Sequence, residues 1–122
     1  MTSLTDLSLR QMQAGLRSGE FLSRDLVQAA LDRITRLEPS LHAFLHLAGP
    51  RALEQAASAD EARKSAGLRS AAPLLGIPIA IKDVLTVEGL PCTCGSKILE
   101  GFRDPRPMRL AWGLVDCNDN LQ

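Results

Sequence analysis

The chain has 122 residues, 45% of them hydrophobic, with 14 Lys plus Arg balanced by 14 Asp plus Glu. That is long enough for one small domain with a real core and too apolar for intrinsic disorder. A zero charge balance also argues against a chain that wraps nucleic acid by itself.

No apolar stretch nears the roughly 20 residues that cross a bilayer. The N-terminus, MTSLTDLSLRQ, has polar and acidic residues where a signal peptide needs a basic start and an apolar run. The sequence therefore reads as cytoplasmic, or organellar in a eukaryote. Three cysteines, Cys92, Cys94 and Cys117, cannot all pair within one chain, which fits free thiols in a reducing compartment.

Leu4, Leu7, Met12 and Leu16 can share one helical face, and a first helix is predicted near residues 4–18, stopped by Gly19. Ser23 precedes RDLVQAALDRITRLEP, with Asp25 in the first turn, where a carboxylate suits free N–H groups and the helix dipole. Leu26, Val27, Ala30, Ile34 and Leu37 recur at helical spacing, and Pro39 marks the predicted stop. The short apolar segment LHAFLHLAG, residues 41–49, reads as a strand. A third helix starts at Pro50, well placed for a first turn. Its apolar residues are concentrated early, and its outer face is mostly wet.

Residues 65–73 form a loop. IPIAIKD, Ile77–Asp83, then reads as a strand buried on both faces, with Pro78 near its start because proline has no N–H for a ladder. A turn at Glu88–Gly89 and a second short extended piece follow. The last twenty residues carry two prolines, the lone Trp112 and no sustained period.

Lys82 closes the apolar run and is the main chemical candidate. A lysine acts as a base only while neutral, and lowering its pKa from about 10.4 to about 7 takes roughly 4–5 kcal/mol. Burial at a strand end is one way to supply that. The plainer reading is a charged strand end paired with Asp83 or water. Ser96 is the nearest downstream serine, but no S-x-x-K spacing occurs and a turn or cap role fits it better. Cys92 and Cys94 form a C-x-C without a C-x-x-C pair, so small packing residues are a better reading than a zinc site. His42 and His46, four apart on an extended segment, would lie about 13 Å from each other, too far for one metal. No phosphate-binding glycine motif is present.

GIPIAIKD followed by GLPCTCGSKILEGF closely resembles the amidase signature family, and RITRLEPSLHAFLHL upstream is similar to the same family's N-terminal region. The likeness covers about residues 4–102 and, through ILEGF, leans to the family's glutamine-dependent tRNA amidotransferase branch. It implies an α/β fold, here the N-terminal helices plus the first strands of a large mixed sheet. It also implies that Lys82 matches the lysine of a Ser–cis-Ser–Lys triad. In that mechanism the lysine deprotonates a middle serine, which activates a second serine to attack a carboxamide. An acyl-enzyme forms and ammonia leaves.

The branch takes ammonia from glutamine and passes it to partner subunits that amidate Glu-tRNA(Gln) or Asp-tRNA(Asn), a step in translation. It implies no cofactor and no metal, and contact with tRNA only through the complex. The family's Gly/Ser-rich stretch, which carries both serines, has no counterpart after Lys82. From about residue 103 the likeness stops, which points to a divergent tail and a truncated or frameshifted product. The alternatives are a non-catalytic fragment and a remnant of a general amidase with another amide substrate.

Overall fold

The computed structural model describes residues 3–104. The chain divides into two compact units, Met1–Ala43 with Gly49–Pro78, and Phe44–Ala48 with Ile79–Gln122. The irregular tail expected from residue 103 lies almost wholly outside the described residues.

The first unit is helical. After a short 3₁₀ turn at Leu4–Asp6 come α1 (Leu9–Ser18), α2 (Ser23–Leu41) and α3 (Gly49–Ala66). Helix α1 begins with a reciprocal cap. Gln11 N–H donates to Ser8 Oγ at 3.4 Å, and Ser8 N–H donates to Gln11 Oε1 at 2.8 Å. It ends where expected, at Gly19, in the left-handed conformation with φ 77°. Arg33 of α2 ties the 3₁₀ turn down, reaching Asp6 at 2.6 Å and Thr5 at 2.8 Å.

Helices α2 and α3 pack on each other. Leu16, Leu26, Val27, Ala56, Ala59, Ala71 and Leu75 make the buried apolar set of this unit. Asp25 stands in the first turn of α2 as expected and accepts the Leu22 N–H at 2.8 Å. Ser23 does not cap. It is the first helical residue, and the adjacent free donors go to Asp60 of α3 instead. Ser23 N–H donates to Asp60 Oδ1 at 2.8 Å and Arg24 N–H to Oδ2 at 3.2 Å. One turn further along α3, Arg63 donates from Nε and from a terminal nitrogen to the Leu75 carbonyl, at 3.1 and 2.6 Å. Asp60 and Arg63 are therefore buried, on a helix whose charges read as solvated in the sequence.

Two expectations need correction. Helix α2 runs past Pro39 to Leu41 and ends at His42, which is left-handed with φ 49° and donates its N–H to Glu38 O at 2.9 Å. A proline in the last turn forfeits one backbone bond without ending the helix. The strands expected at residues 41–49 and 77–83 are the second correction, for no strand occurs among the described residues. Leu41 belongs to α2, and residues 42–48 and 77–82 have no regular hydrogen-bonded structure. A strand exists only with a ladder partner, and none of the described segments supplies one. Burial differs as well, since Ile79 is 57% exposed where both faces of that run were expected to be covered.

In the second unit, consecutive turns replace the expected extended pieces. The turn at Glu88–Gly89 forms as read, with Gly89 at φ 73° and Leu90 N–H on Val87 O at 3.0 Å. Cys94 and Gly95 are both left-handed, at φ 50° and 70°, and Ser96 N–H closes the turn onto Thr93 O at 2.8 Å. A 3₁₀ turn follows at Lys97–Leu99. No helix among the described residues is long and apolar enough to cross a membrane.

Candidate active site

Lys82 sits at the end of the irregular apolar run, where the chain turns. Its carbonyl accepts the Leu85 N–H at 3.0 Å. The side chain is exposed, and no acceptor among the described residues bonds to its ammonium. Pairing with Asp83, one of the two plain readings of this position, does not occur among the described residues, and the Asp83 carboxylate bonds to Thr93 instead. Thr93 donates to it twice, from its N–H at 3.0 Å and from its hydroxyl.

Asp83 organises the segment next to Lys82. Besides the two Thr93 donors at its carboxylate, its backbone carbonyl accepts the Cys94 N–H at 3.0 Å and faces the Cys92 thiol at 3.6 Å. The Thr93 hydroxyl in turn accepts the Gly95 N–H at 3.2 Å. The Thr93 hydroxyl, and then its N–H, hold the Asp83 carboxyl below its ordinary value. From the other end of this loop, Cys92 N–H bonds to Phe102 O at 3.1 Å, and Arg103 donates to Gly89 O. The stretch from Asp83 to Arg103 is thus pinned by side-chain and backbone bonds rather than by a sheet.

Ser96 takes the modest role expected of it. Its hydroxyl accepts the Ile98 N–H at 3.3 Å as the cap of the 3₁₀ turn, and it makes no bond to Lys82. The two cysteines part company, with Cys92 buried and Cys94 exposed, although the sequence reads both as packing residues. Burial, the neighbouring Cys94 thiol and Asp83 push the Cys92 thiol up. No three His, Cys, Asp or Glu side chains among the described residues come together to hold a metal ion. Sequence reasoning misses the role of Asp83. A carboxylate at the end of an apolar run carries no local signal, and its partner lies ten residues on.

Comparison with known proteins accounts for the strings that frame this site. The Amidase family model matches residues 25–111, a span that contains both GIPIAIKD and TCGSKILEGF. Among relatives, the A subunit of Glutamyl-tRNA(Gln) amidotransferase from Chloroflexus aurantiacus is 49% identical over 105 residues, covering 86% of this chain and 21% of its own length. The proteins of the same name from Thermobifida fusca and Nocardia farcinica are 47% and 46% identical, with the same coverage. The chain thus spans about one fifth of the length of the curated relatives it matches. With a family match over most of its residues, and with Lys82 and its Asp83-bound loop inside that match, the chain belongs to the amidase family.

Proposed function

We propose that this chain is the N-terminal portion of a glutamine-dependent tRNA amidotransferase A subunit. In the whole enzyme, Lys82 would serve as the base of a Ser–cis-Ser–Lys triad. The observation that carries the reading is the match to A-subunit relatives, with 46–49% identity across 105 residues. Neutral Lys82 would take the proton of a middle serine. That serine would activate the nucleophilic serine, which attacks the glutamine carboxamide and releases ammonia. Partner subunits of the complex would use the ammonia to amidate Glu-tRNA(Gln) or Asp-tRNA(Asn). Residues 77–83 would become a strand of the family's mixed sheet when the neighbouring strands supply ladder partners.

Residues 1–122 alone hold this base without a nucleophile, since no Gly/Ser-rich stretch follows Lys82. Exposure of the Lys82 side chain supports the same view, because a working base needs its charged form desolvated. The purified chain is therefore inactive, a non-catalytic fragment in its own right. Its glutaminase rate equals that of a Lys82→Ala control, and a rate above that control would refute the reading.

A further inference from the structure

We propose that Cys92 and Cys94 are a redox pair that closes into an intrachain disulfide and in doing so alters the loop bound to Asp83. Consecutive Cα atoms are about 3.8 Å apart, so residues two apart are never more than about 7.6 Å from each other, and disulfides form at roughly 4.4–6.8 Å. The fold adds a convergence. A single oxygen, the Asp83 carbonyl, receives the Cys92 thiol at 3.6 Å and the Cys94 N–H at 3.0 Å.

Their unequal exposure divides the roles. Cys94 is exposed on a left-handed turn, open to reagents in solution, whereas Cys92 is buried behind it. In the closing reaction the Cys94 thiolate displaces one sulfur of a low-molecular-weight disulfide such as oxidised glutathione. A mixed disulfide forms and one thiolate leaves. Cys92 then gives its proton to solvent and attacks the Cys94 sulfur, expelling the second thiolate. Two protein thiols lose two electrons and two protons, and one small disulfide is reduced to two thiols.

The new bond draws the Cys92 sulfur from the Asp83 carbonyl. Asp83 follows Lys82 directly and is held by Thr93, between the two cysteines. The redox state of the pair thereby reaches the backbone beside Lys82. This inference rests on the local geometry and holds whether or not Lys82 is a base.

The test uses the full chain carrying Cys117→Ser, so that the third thiol takes no part. The chain is equilibrated in buffers of oxidised and reduced glutathione, quenched in acid, alkylated and weighed. The expected product is lighter by two hydrogens and takes up no alkylating agent, and its fraction rises with the proportion of oxidised glutathione. Adding Cys92→Ser leaves glutathione trapped on Cys94, and adding Cys94→Ser leaves the buried Cys92 largely unmodified. Closure also shifts the amide resonances of Asp83 and Thr93. A stable glutathione adduct on Cys94 with Cys92 still free, independent alkylation of the two thiols under oxidising conditions, or unchanged Asp83 and Thr93 resonances on closure would overturn the proposal.

Discussion

Asp60 accepts the backbone N–H of Ser23 at 2.8 Å across 37 residues of sequence. The carboxylate lies near the middle of α3, yet it caps α2, satisfying two of the four N–H groups that a helix start leaves free. Asp60→Ala removes both charge-assisted bonds and costs about 2–4 kcal/mol. Asp60→Asn keeps one acceptor oxygen and costs about half as much. Urea denaturation followed by helical circular dichroism measures both, and equal midpoints for the alanine variant and the parent would show that the cap contributes nothing.

Ser23 is also the floor against which Gly76 rests. A Cβ placed on Gly76 would meet Ser23 Oγ at 1.8 Å and Ala59 Cβ at 3.2 Å, on a backbone at φ 79°. Gly76→Ala combines overpacking with a left-handed penalty and destabilises by about 2–4 kcal/mol. Gly67, at φ 84°, has nothing within 4 Å of the same position, so Gly67→Ala costs only about 1–2 kcal/mol. Thermal melts of the pair separate crowding from backbone strain, and equal losses would mean that Gly76 is not close-packed.

Asp83 gives the loop beside Lys82 a dependence on acid. Its pKa is held below the ordinary 3.8, first by the Thr93 hydroxyl and then by the Thr93 N–H. A depressed carboxylate stabilises the folded loop above its unfolded pKa, and that contribution is lost as pH falls through the depressed folded value. Thr93→Val removes the hydroxyl donor and moves the Asp83 titration back toward the ordinary range. Carbon-detected NMR of the Asp83 carboxyl reads the shift directly, and an unchanged titration in the variant would dismiss the Thr93 hydroxyl as its cause.

Much of the helical frame is legible in the sequence because helix signals are local. Gly19 at the end of α1, Asp25 in the first turn of α2 and Pro50 at the start of α3 all act within a turn of where they stand, whereas α1, expected from about residue 4, begins only at Leu9 behind a separate 3₁₀ turn. What cannot be read is long-range. Asp60 and Arg63 look like solvent-facing charges because their partners, Ser23 and Leu75, are distant in sequence. The apolar run at residues 77–81 looks like a buried strand because pattern reports what a segment can bury, whereas a strand also needs a neighbour. Lys82 stands out by its place in that run and by the resemblance, and the structure adds the Asp83–Thr93 lock that neither shows.

Exposure of Lys82 has a chemical consequence. Its amine should react with an N-hydroxysuccinimide ester at a rate within about threefold of Lys64, whose side chain is 62% exposed. Peptide mapping after brief acylation measures both sites. Protection of Lys82 relative to Lys64 by more than tenfold would mean that the side chain is covered.

The central claim, that this chain supplies the lysine base of an amidotransferase A subunit, is tested most directly by a chimera. Residues 1–102 replace the matching segment of the Chloroflexus aurantiacus Glutamyl-tRNA(Gln) amidotransferase A subunit, co-expressed with that enzyme's other subunits. Glutamine hydrolysis by the chimera and by its Lys82→Ala variant is then compared. The account predicts an active chimera whose rate falls by about 10²–10⁴-fold in the variant, with folding unchanged by circular dichroism. An active chimera that hydrolyses glutamine equally well without Lys82 would contradict it.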